Sequence, residues 1–255
     1  MKTFAIARNT FSESIRQPVI YLIALLGTAL LLLSFAFTLF TFSEENTLKM
    51  IKDMGIATIT LCALLVALFT ASGVIADEIE KKTALTVLCK PVSRLQFLLG
   101  KYSGILGVVA CTILVLVAIF IIALSFLEHK ADWIIAQAGV FAFLQVAVLS
   151  AISVAVSTRF PLVVNVAICF ILYVAGHASS FIAQGFEGKG PILRTCAQVL
   201  LTLLPNLENL NVASLAARGV SVSVSCLAFG LLYSVLYVAA VLAIALVSLE
   251  RKELM

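Results

Sequence analysis

Long apolar segments alternate with short polar ones along almost the whole chain. Crossing about 30 Å of hydrocarbon takes about 20 helical residues. Six apolar segments meet that length, at residues 19–42, 54–76, 104–127, 134–157, 162–183 and 225–249. Because the bilayer interior offers the backbone no water, each of them is expected to be an α-helix. The pattern predicts an all-α polytopic membrane protein, with six transmembrane helices in a single domain over residues 1–255.

A helical period also runs through residues 3–17, ahead of the first apolar segment. One face of that helix is apolar and carries Phe4, Ala7, Phe11 and Ile15. We expect an amphipathic helix that lies in the membrane interface, with Pro18 beginning the first span. A short soluble amphipathic helix is the alternative, but the sequence offers no soluble core near it.

The last polar segment, residues 184–224, contains two short helical patterns. The first, ILRTCAQVLLTLLP, ends at Pro205 and is too short to span the membrane, which favours an interfacial or re-entrant helix. The second begins at Asn211, a good N-cap residue, and runs to Arg218, with Gly219 as its stop. We therefore predict short membrane-dipping helices here. They either pack over the outer ends of the spans or contact a substrate directly.

Composition supports the membrane class. The chain of 255 residues is 62% hydrophobic and 12% charged, about half the charged fraction of an average soluble domain, and its mean hydropathy is +1.16. Its six cysteines include no Cys-x-x-Cys pair, so neither a metal site nor a disulfide framework is implied. No basic stripe with interleaved aromatic residues is present, which argues against nucleic acid as a partner.

Lysine and arginine indicate the orientation, because loops rich in them tend to stay in the cytoplasm. With the N-terminus inside, the inner segments hold 11 of these residues and the outer loops hold 6. We therefore expect a multi-pass protein of the plasma or inner membrane with both termini in the cytoplasm. The polar segment 77–103 then lies in the cytoplasm, and segment 184–224 lies outside.

The middles of the spans carry no Asp, Glu, Lys or Arg. Their main polar side chains are Gln137, Gln145, Asn165 and His177. Ion-coupled transporters usually need an ionisable group at that depth, so a self-powered transporter is disfavoured. A phosphate-binding loop is also missing, because Gly100 and Lys101 are followed by Tyr102 rather than by Ser or Thr. Transport against a gradient would need a partner that supplies the energy.

One arrangement suggests an enzyme, a membrane-embedded hydrolase built on His177 with Ser179 or Ser180. Neither an acidic residue at that depth nor a Gly-x-Ser-x-Gly turn accompanies it, so we interpret His177 as a hydrogen-bonded core or boundary residue. Gln137 and Gln145 are interpreted as hydrogen bonds between helices. We expect neither a catalytic residue nor a metal ligand in this chain.

Segment 77–103, DEIEKKTALTVLCKPVSRLQFLLGKYS, is the conspicuously polar part of the chain. Ser93 and Gln96 have the spacing of a capping box, so a helix is expected to begin there and continue into the third span. Ahead of it, the short apolar run 83–88 is bracketed by charge. Such a run needs the membrane surface or another protein to cover it.

The same segment carries a glutamate and a threonine after the second span, then Leu-x-x-Leu, Pro-Val-Ser-Arg and Leu-Leu-Gly-Lys. In this it resembles the permeases of ATP-binding-cassette (ABC) transporters of the type-two export family. Lys82 departs from the resemblance, since such proteins commonly carry Gly there. The residues to which the resemblance assigns coupling to an ATPase are Glu78, Thr83, Leu85, Leu88, Pro91, Ser93, Arg94, Gly100 and Lys101, with Val92 completing the match.

The resemblance implies a non-catalytic membrane subunit of an ABC exporter. Two copies of an ABC ATPase, which bind ATP and magnesium, would each receive a coupling helix from segment 77–103. The membrane part would be a dimer of this chain with a second copy or a paralogue. The alternative is a membrane scaffold or assembly factor that does not transport and binds a cytosolic partner through the same segment.

Overall fold

The structure, a computed structural model, describes residues 2–36, 44–80, 93–128, 132–186 and 204–252. Within these ranges every regular element is helical, which confirms the predicted all-α fold. The helices are α1 (Lys2–Ile15), α2 (Pro18–Ser34), α3 (Glu44–Glu80), α4 (Arg94–Glu128), α5 (Trp133–Ser157), α6 (Leu162–His177), α7 (Ser179–Phe186), α8 (Ala213–Ala217) and α9 (Val224–Lys252), with a 3-10 turn at Glu208–Leu210.

Four of these helices, α3, α4, α5 and α9, are each long and apolar enough to cross a membrane. Helices α1 and α2 pass the same test only together, as a pair bent by 64° with Pro18 as the first residue after the bend. Helix α6 is apolar but has only 16 residues, about 24 Å. The described part of the chain thus contains four or five candidate spans, and six spans remain a prediction.

The predicted fifth span, 162–183, is divided in the structure. Helix α6 ends at His177, and Ala178 has φ −96° and ψ 14°, after which α7 begins. Glycine and serine around this point have poor helix propensity. Gly176 also lies directly against the backbone carbonyl of Pro205. The helix is therefore interrupted within the range predicted as the fifth span.

Helix α5 is the centre of the bundle and packs against α3, α4, α6 and α9. Every residue from Leu144 to Val154 is buried, so neighbouring helices surround this part of α5 on all sides. Small residues such as Gly139, whose Cα lies against the Val117 side chain, let the neighbouring backbones come close. The remaining helices are arranged around this buried axis.

Helix α1 lies against the first turns of α4, and we call the end of the bundle where they meet the inner end. Three glycines of α4 make the contact possible. A Cβ added to Gly104 would lie 2.7 Å from Thr10 Cβ and 2.8 Å from Ala7 O, and one added to Gly100 would lie 2.8 Å from Ile6. Gly107 is in similar contact with Phe11. The glycine stripe therefore serves as the groove that seats α1.

The face of α1 that contacts α4 combines small polar and apolar side chains. Thr10 and Ser14 are completely buried and Phe11 lies against Gly107, whereas Phe4 is 75% exposed. Because lipid is as apolar as a protein core, close fit rather than hydrophobicity selects the contact face of a membrane helix. That the apolar face of α1 lies in the membrane interface remains a prediction.

At the opposite, outer end, Lys52 of α3 forms an ion pair with Asp132, with Nζ and Oδ2 2.9 Å apart. Both side chains are largely buried. Asp132 also caps α5, since its other carboxylate oxygen accepts a hydrogen bond from Ile134 N. One carboxylate thus fixes the start of α5 and ties it to α3.

The fit of α1 into its groove can be tested with two glycine-to-alanine variants. We expect Gly104→Ala to destabilise the protein by about 1–3 kcal/mol, because its Cβ collides with α1. Gly73→Ala is the control, since its Cβ would meet only Gln17 at 3.7 Å and removing a helical glycine favours the folded state. Thermal unfolding in mild detergent measures both. Equal unfolding temperatures for the two variants would contradict the packing.

Candidate functional site

Segment 77–103 is bounded by the two longest helices of the protein. Helix α3 continues through Glu78 to Glu80, and α4 begins at Arg94. Both hydrogen bonds of the expected capping box are present: Gln96 N donates to Ser93 Oγ at 3.3 Å, and Ser93 N donates to Gln96 Oε1 at 3.4 Å. The start of α4 is therefore defined by its own side chains.

The proposed coupling residues fall into three groups. Four of them lie outside the described residues, namely Thr83, Leu85, Leu88 and Pro91. Glu78 belongs to the last turn of α3, where the structure describes the helical backbone. Ser93 is exposed and Arg94 half-buried at the start of α4. The structure thus brings Ser93 and Arg94 to the accessible surface at the inner end of the bundle.

Gly100 and Lys101 are not on that surface. Gly100 is buried against Ile6 of α1, and Lys101 is only 3% exposed, with its Nζ 5.7 Å from the centre of the Phe97 ring. Their positions suit a role in seating α1 and stiffening the start of α4 rather than direct contact with a partner. The sequence could not separate these two from Ser93 and Arg94, because the resemblance treats the segment as one motif.

The accessible surface at the inner end combines charge with apolar side chains. On α1 the residues Arg8 and Glu13 are exposed, as is Arg16 directly after it, and on α4 Leu95 and Leu99 are exposed one turn apart. We call this surface, formed by α1 and by residues 93–99, the inner platform. Such a mixed surface suits the membrane interface or a protein partner.

A cluster of polar side chains lies buried between α3, α5 and α6, near the inner end. Asn165 Nδ2 is 2.7 Å from Ser72 Oγ and 2.9 Å from Ser153 Oγ, and it is also within 3.2 Å of Ser153 O. Cys169 Sγ donates to Asn165 Oδ1 at 3.4 Å. Ser72 is about 12 Å along α3 from Glu80, so the cluster anchors the helix that leads into segment 77–103.

Sequence reasoning noticed Asn165 but assigned it no role, and it missed Ser72 and Ser153. A buried amide needs partners because an unpaired polar group in a low-dielectric interior costs free energy. That argument predicts partners for Asn165. Serine is common in membrane helices, however, so the sequence gives no signal that identifies which ones.

At the outer end, the segment after Leu203 is tied down through its backbone. Gln145 Nε2 donates to Leu207 O at 3.2 Å, Gln137 Oε1 accepts from Val222 N at 3.2 Å, and Tyr233 OH accepts from Asn206 N at 2.9 Å. The expectation that the two glutamines join helices to each other is wrong. They satisfy backbone groups of an irregular segment that has no helical ladder of its own there.

Leu207 lies deep beside α5. Its partner Gln145 is about 18 Å along α5 from Trp133. Helix α8 follows, within the predicted range from Asn211 to Arg218. Gly219, at φ 72°, ends it as expected, with Val220 N bonded to Leu215 O. The first predicted helix of this loop lies almost entirely outside the described residues.

The structure supplies an acidic group that the hydrolase hypothesis lacked. Ser179 Oγ donates to Glu208 Oε2 at 2.9 Å. His177 Nδ1, however, lies 3.1 Å from Tyr173 O in its own helix, and no hydrogen bond between His177 and Ser179 is present in the described structure. A histidine between serine and acid is what activates a nucleophile, so this pair instead holds the 3-10 turn against α7.

No group of three His, Cys, Asp or Glu side chains close enough to hold a metal ion occurs among the described residues. The described residues offer two features: a capped start of α4 with an accessible surface, and a buried polar cluster that joins α3, α5 and α6. Both are suited to transmitting movement between helices.

The buried cluster gives a prediction for Asn165→Leu. Because the change strands two serine hydroxyls and removes a link between three helices, we expect a loss of about 1–2 kcal/mol in stability. Thr58→Val is the control, since the Thr58 hydroxyl is exposed and bonds only within its own helix. Thermal unfolding in mild detergent measures both. An Asn165→Leu protein as stable as the wild type would show that the cluster does not stabilise the bundle.

Comparison with known proteins agrees with the resemblance seen in segment 77–103. The family model described as "ABC-2 family transporter protein" matches residues 4–254, which is nearly the whole chain. No curated protein matches the chain at a significant level. With its helical fold, its apolar membrane-span candidates and this match, the chain belongs to the ABC-2 family of transporter proteins.

Proposed function

We propose that this chain is the permease subunit of an ABC exporter and that a separate ATPase docks on segment 77–103 to drive it. Family membership makes it a membrane component of an ABC transporter. Export, the ATPase partner and the docking segment are the further steps of the proposal. The observation that carries it is that segment 77–103 leads from the end of α3 to the start of α4, the two longest helices that the structure describes.

Length makes these helices suitable levers. Helix α3 has 37 residues and α4 has 35, about 55 Å and 52 Å, whereas the hydrocarbon core is about 30 Å thick. Both must extend beyond the hydrocarbon. A force applied to segment 77–103 therefore acts on rigid rods whose far parts lie in the membrane.

Two contacts would pass such a force on. Movement of α3 is transmitted through Ser72 to Asn165 of α6 and Ser153 of α5. Movement of α4 is transmitted to α1 through the glycine groove at Gly100 and Gly104. The coupling role therefore divides. Ser93 and Arg94 are placed to meet the ATPase, and Gly100 and Lys101 are placed to carry its movement into the bundle.

Six spans, a cytoplasmic inner end in the plasma or inner membrane and a dimer complete the proposal. The first span would be α2, with α1 on the inner surface, and α6 would be the fifth span, completed by α7. Two copies of the chain, or one copy and a paralogue, would present two coupling segments to two ATPase subunits that bind ATP and magnesium. The re-entrant outer segment would close the far end of the path.

Orientation is tested by cysteine labelling in a variant that lacks the native cysteines. We expect Ser93→Cys to react with a membrane-impermeant thiol reagent only in inside-out vesicles, and Ser221→Cys only in right-side-out ones. Both positions are exposed in the structure. Labelling of Ser93→Cys from the outside would contradict the cytoplasmic placement.

Docking is tested by replacing three residues of segment 77–103 together, Glu78→Ala, Pro91→Ala and Arg94→Ala. We expect the purified wild-type chain alone to show no ATP hydrolysis. From native membranes it should co-purify an ATPase that the triple variant loses at least tenfold. The measurement is the ATPase activity and the protein composition of the material captured on the chain.

The matched control changes the same residue types in the outer loop, Glu187→Ala, Pro191→Ala and Arg194→Ala. This variant should retain the ATPase. If the segment 77–103 variant retains it equally well, the docking site is elsewhere. If the wild-type chain captures a cytosolic protein that does not hydrolyse ATP, the scaffold hypothesis replaces the exporter.

A further inference from the structure

A groove of about 580 Å³ lies between the inner ends of α5 and α9. Its lining is apolar except at one end. The apolar lining residues are Ala155, Val156, Phe160, Ala243, Ile244 and Val247. The polar end is formed by Arg159 and Ser248. The volume is in the range of small-molecule sites, and its shape combines a long apolar wall with one cation.

The cation is held in place. Arg159 Nε donates to Ser248 Oγ at 2.8 Å, and the same hydroxyl is 3.3 Å from Thr158 Oγ1. Helix α9 thus orients a guanidinium that follows the end of α5. The other guanidinium N–H groups of Arg159 make no hydrogen bond to residues that the structure describes, so they remain as donors for a ligand.

The position of the groove indicates that its ligand is a lipid. Ile244 and Val247 are exposed on the outer surface of α9, so the groove opens where acyl chains of the bilayer lie. Arg159 follows the last turn of α5, a helix long enough to span a membrane, and the ends of such helices lie near the lipid headgroups. A soluble anion would gain nothing from the apolar wall, and an apolar helix would leave the guanidinium unused.

The positive charge of Arg159 indicates that the headgroup of this lipid is anionic. Arginine presents a planar set of donors that fits phosphate oxygens, and Arg159 brings one positive charge to the end of the groove. A basic residue next to a hydrophobic surface at the membrane boundary favours anionic phospholipids over zwitterionic ones. The groove and the charge therefore point to the same class of ligand.

We propose that this groove binds an anionic phospholipid, with its phosphate on Arg159 and an acyl chain along α9. The bound lipid fills the gap between α5 and α9 and holds the inner end of α9 in place. This inference rests on the chain lying in a bilayer and is independent of any ATPase partner. It would stand even if segment 77–103 docked nothing.

Native mass spectrometry of the full chain in mild detergent tests it, with phosphatidylglycerol and phosphatidylcholine titrated separately. We expect the wild type to bind phosphatidylglycerol about tenfold more tightly than phosphatidylcholine, because both carry a phosphate but the trimethylammonium group of phosphatidylcholine opposes its attraction to Arg159. Arg159→Gln should bring the two affinities together. The matched control Arg16→Gln removes an exposed charge from α1 at the same end and should keep the wild-type preference.

A second variant tests the groove separately from the charge. Ala243 is an exposed lining residue, so Ala243→Trp fills the groove without disturbing the core. It should weaken binding of both lipids at least fivefold and leave the unfolding temperature in lipid-free detergent unchanged. Equal affinity of the wild type for both lipids, or wild-type binding by Arg159→Gln, would overturn the headgroup assignment. Wild-type binding by Ala243→Trp would overturn the groove.

Discussion

The absence of water inside a bilayer is the constraint on which the rest of this structure depends. Each polar group that enters the membrane must find a partner within the protein. Asn165 finds two serines, Gln145 finds the carbonyl of Leu207, and Lys52 finds Asp132. These bonds are few, and each joins elements that are distant in sequence. They fix which helices are neighbours, while close contact of small residues fixes how near the helices lie.

The all-helical fold and the length of most helices could be predicted from the sequence, because hydrophobic length and helix signals are local. Pro18 does begin α2, and Gly219 does end α8. Prediction failed where a distant part of the chain decided the outcome. The helix predicted over 162–183 is interrupted after His177, where the segment around Pro205 packs against Gly176. Which face of α1 packs on the protein depends on the glycines of α4, and the pattern within α1 does not reveal it.

The same distinction applies to the candidate site. The capping box at Ser93 and Gln96 depends only on two residues three positions apart, so the sequence predicts it, and the structure contains it. Separating half-buried Arg94 from buried Lys101 needs the position of α1, which no local pattern encodes. In the sequence, Arg159 is only one of the basic residues that indicate the orientation of the chain. Its relation to Ser248, about ninety residues later in the chain, becomes visible only once α5 and α9 are side by side.

The contact between α1 and α4 has a consequence for how strongly α1 is held. The buried hydroxyls of Thr10 and Ser14 have no hydrogen-bond partner within the described structure. Each such group lowers the net stability of the contact by about 1–3 kcal/mol relative to a paired one. Close fit attracts α1 into the groove, and stranded hydroxyls oppose it. The stranded hydroxyls thereby lower the free energy needed to separate α1 from α4. The inner surface of the protein can therefore rearrange without disturbing the buried axis of α5.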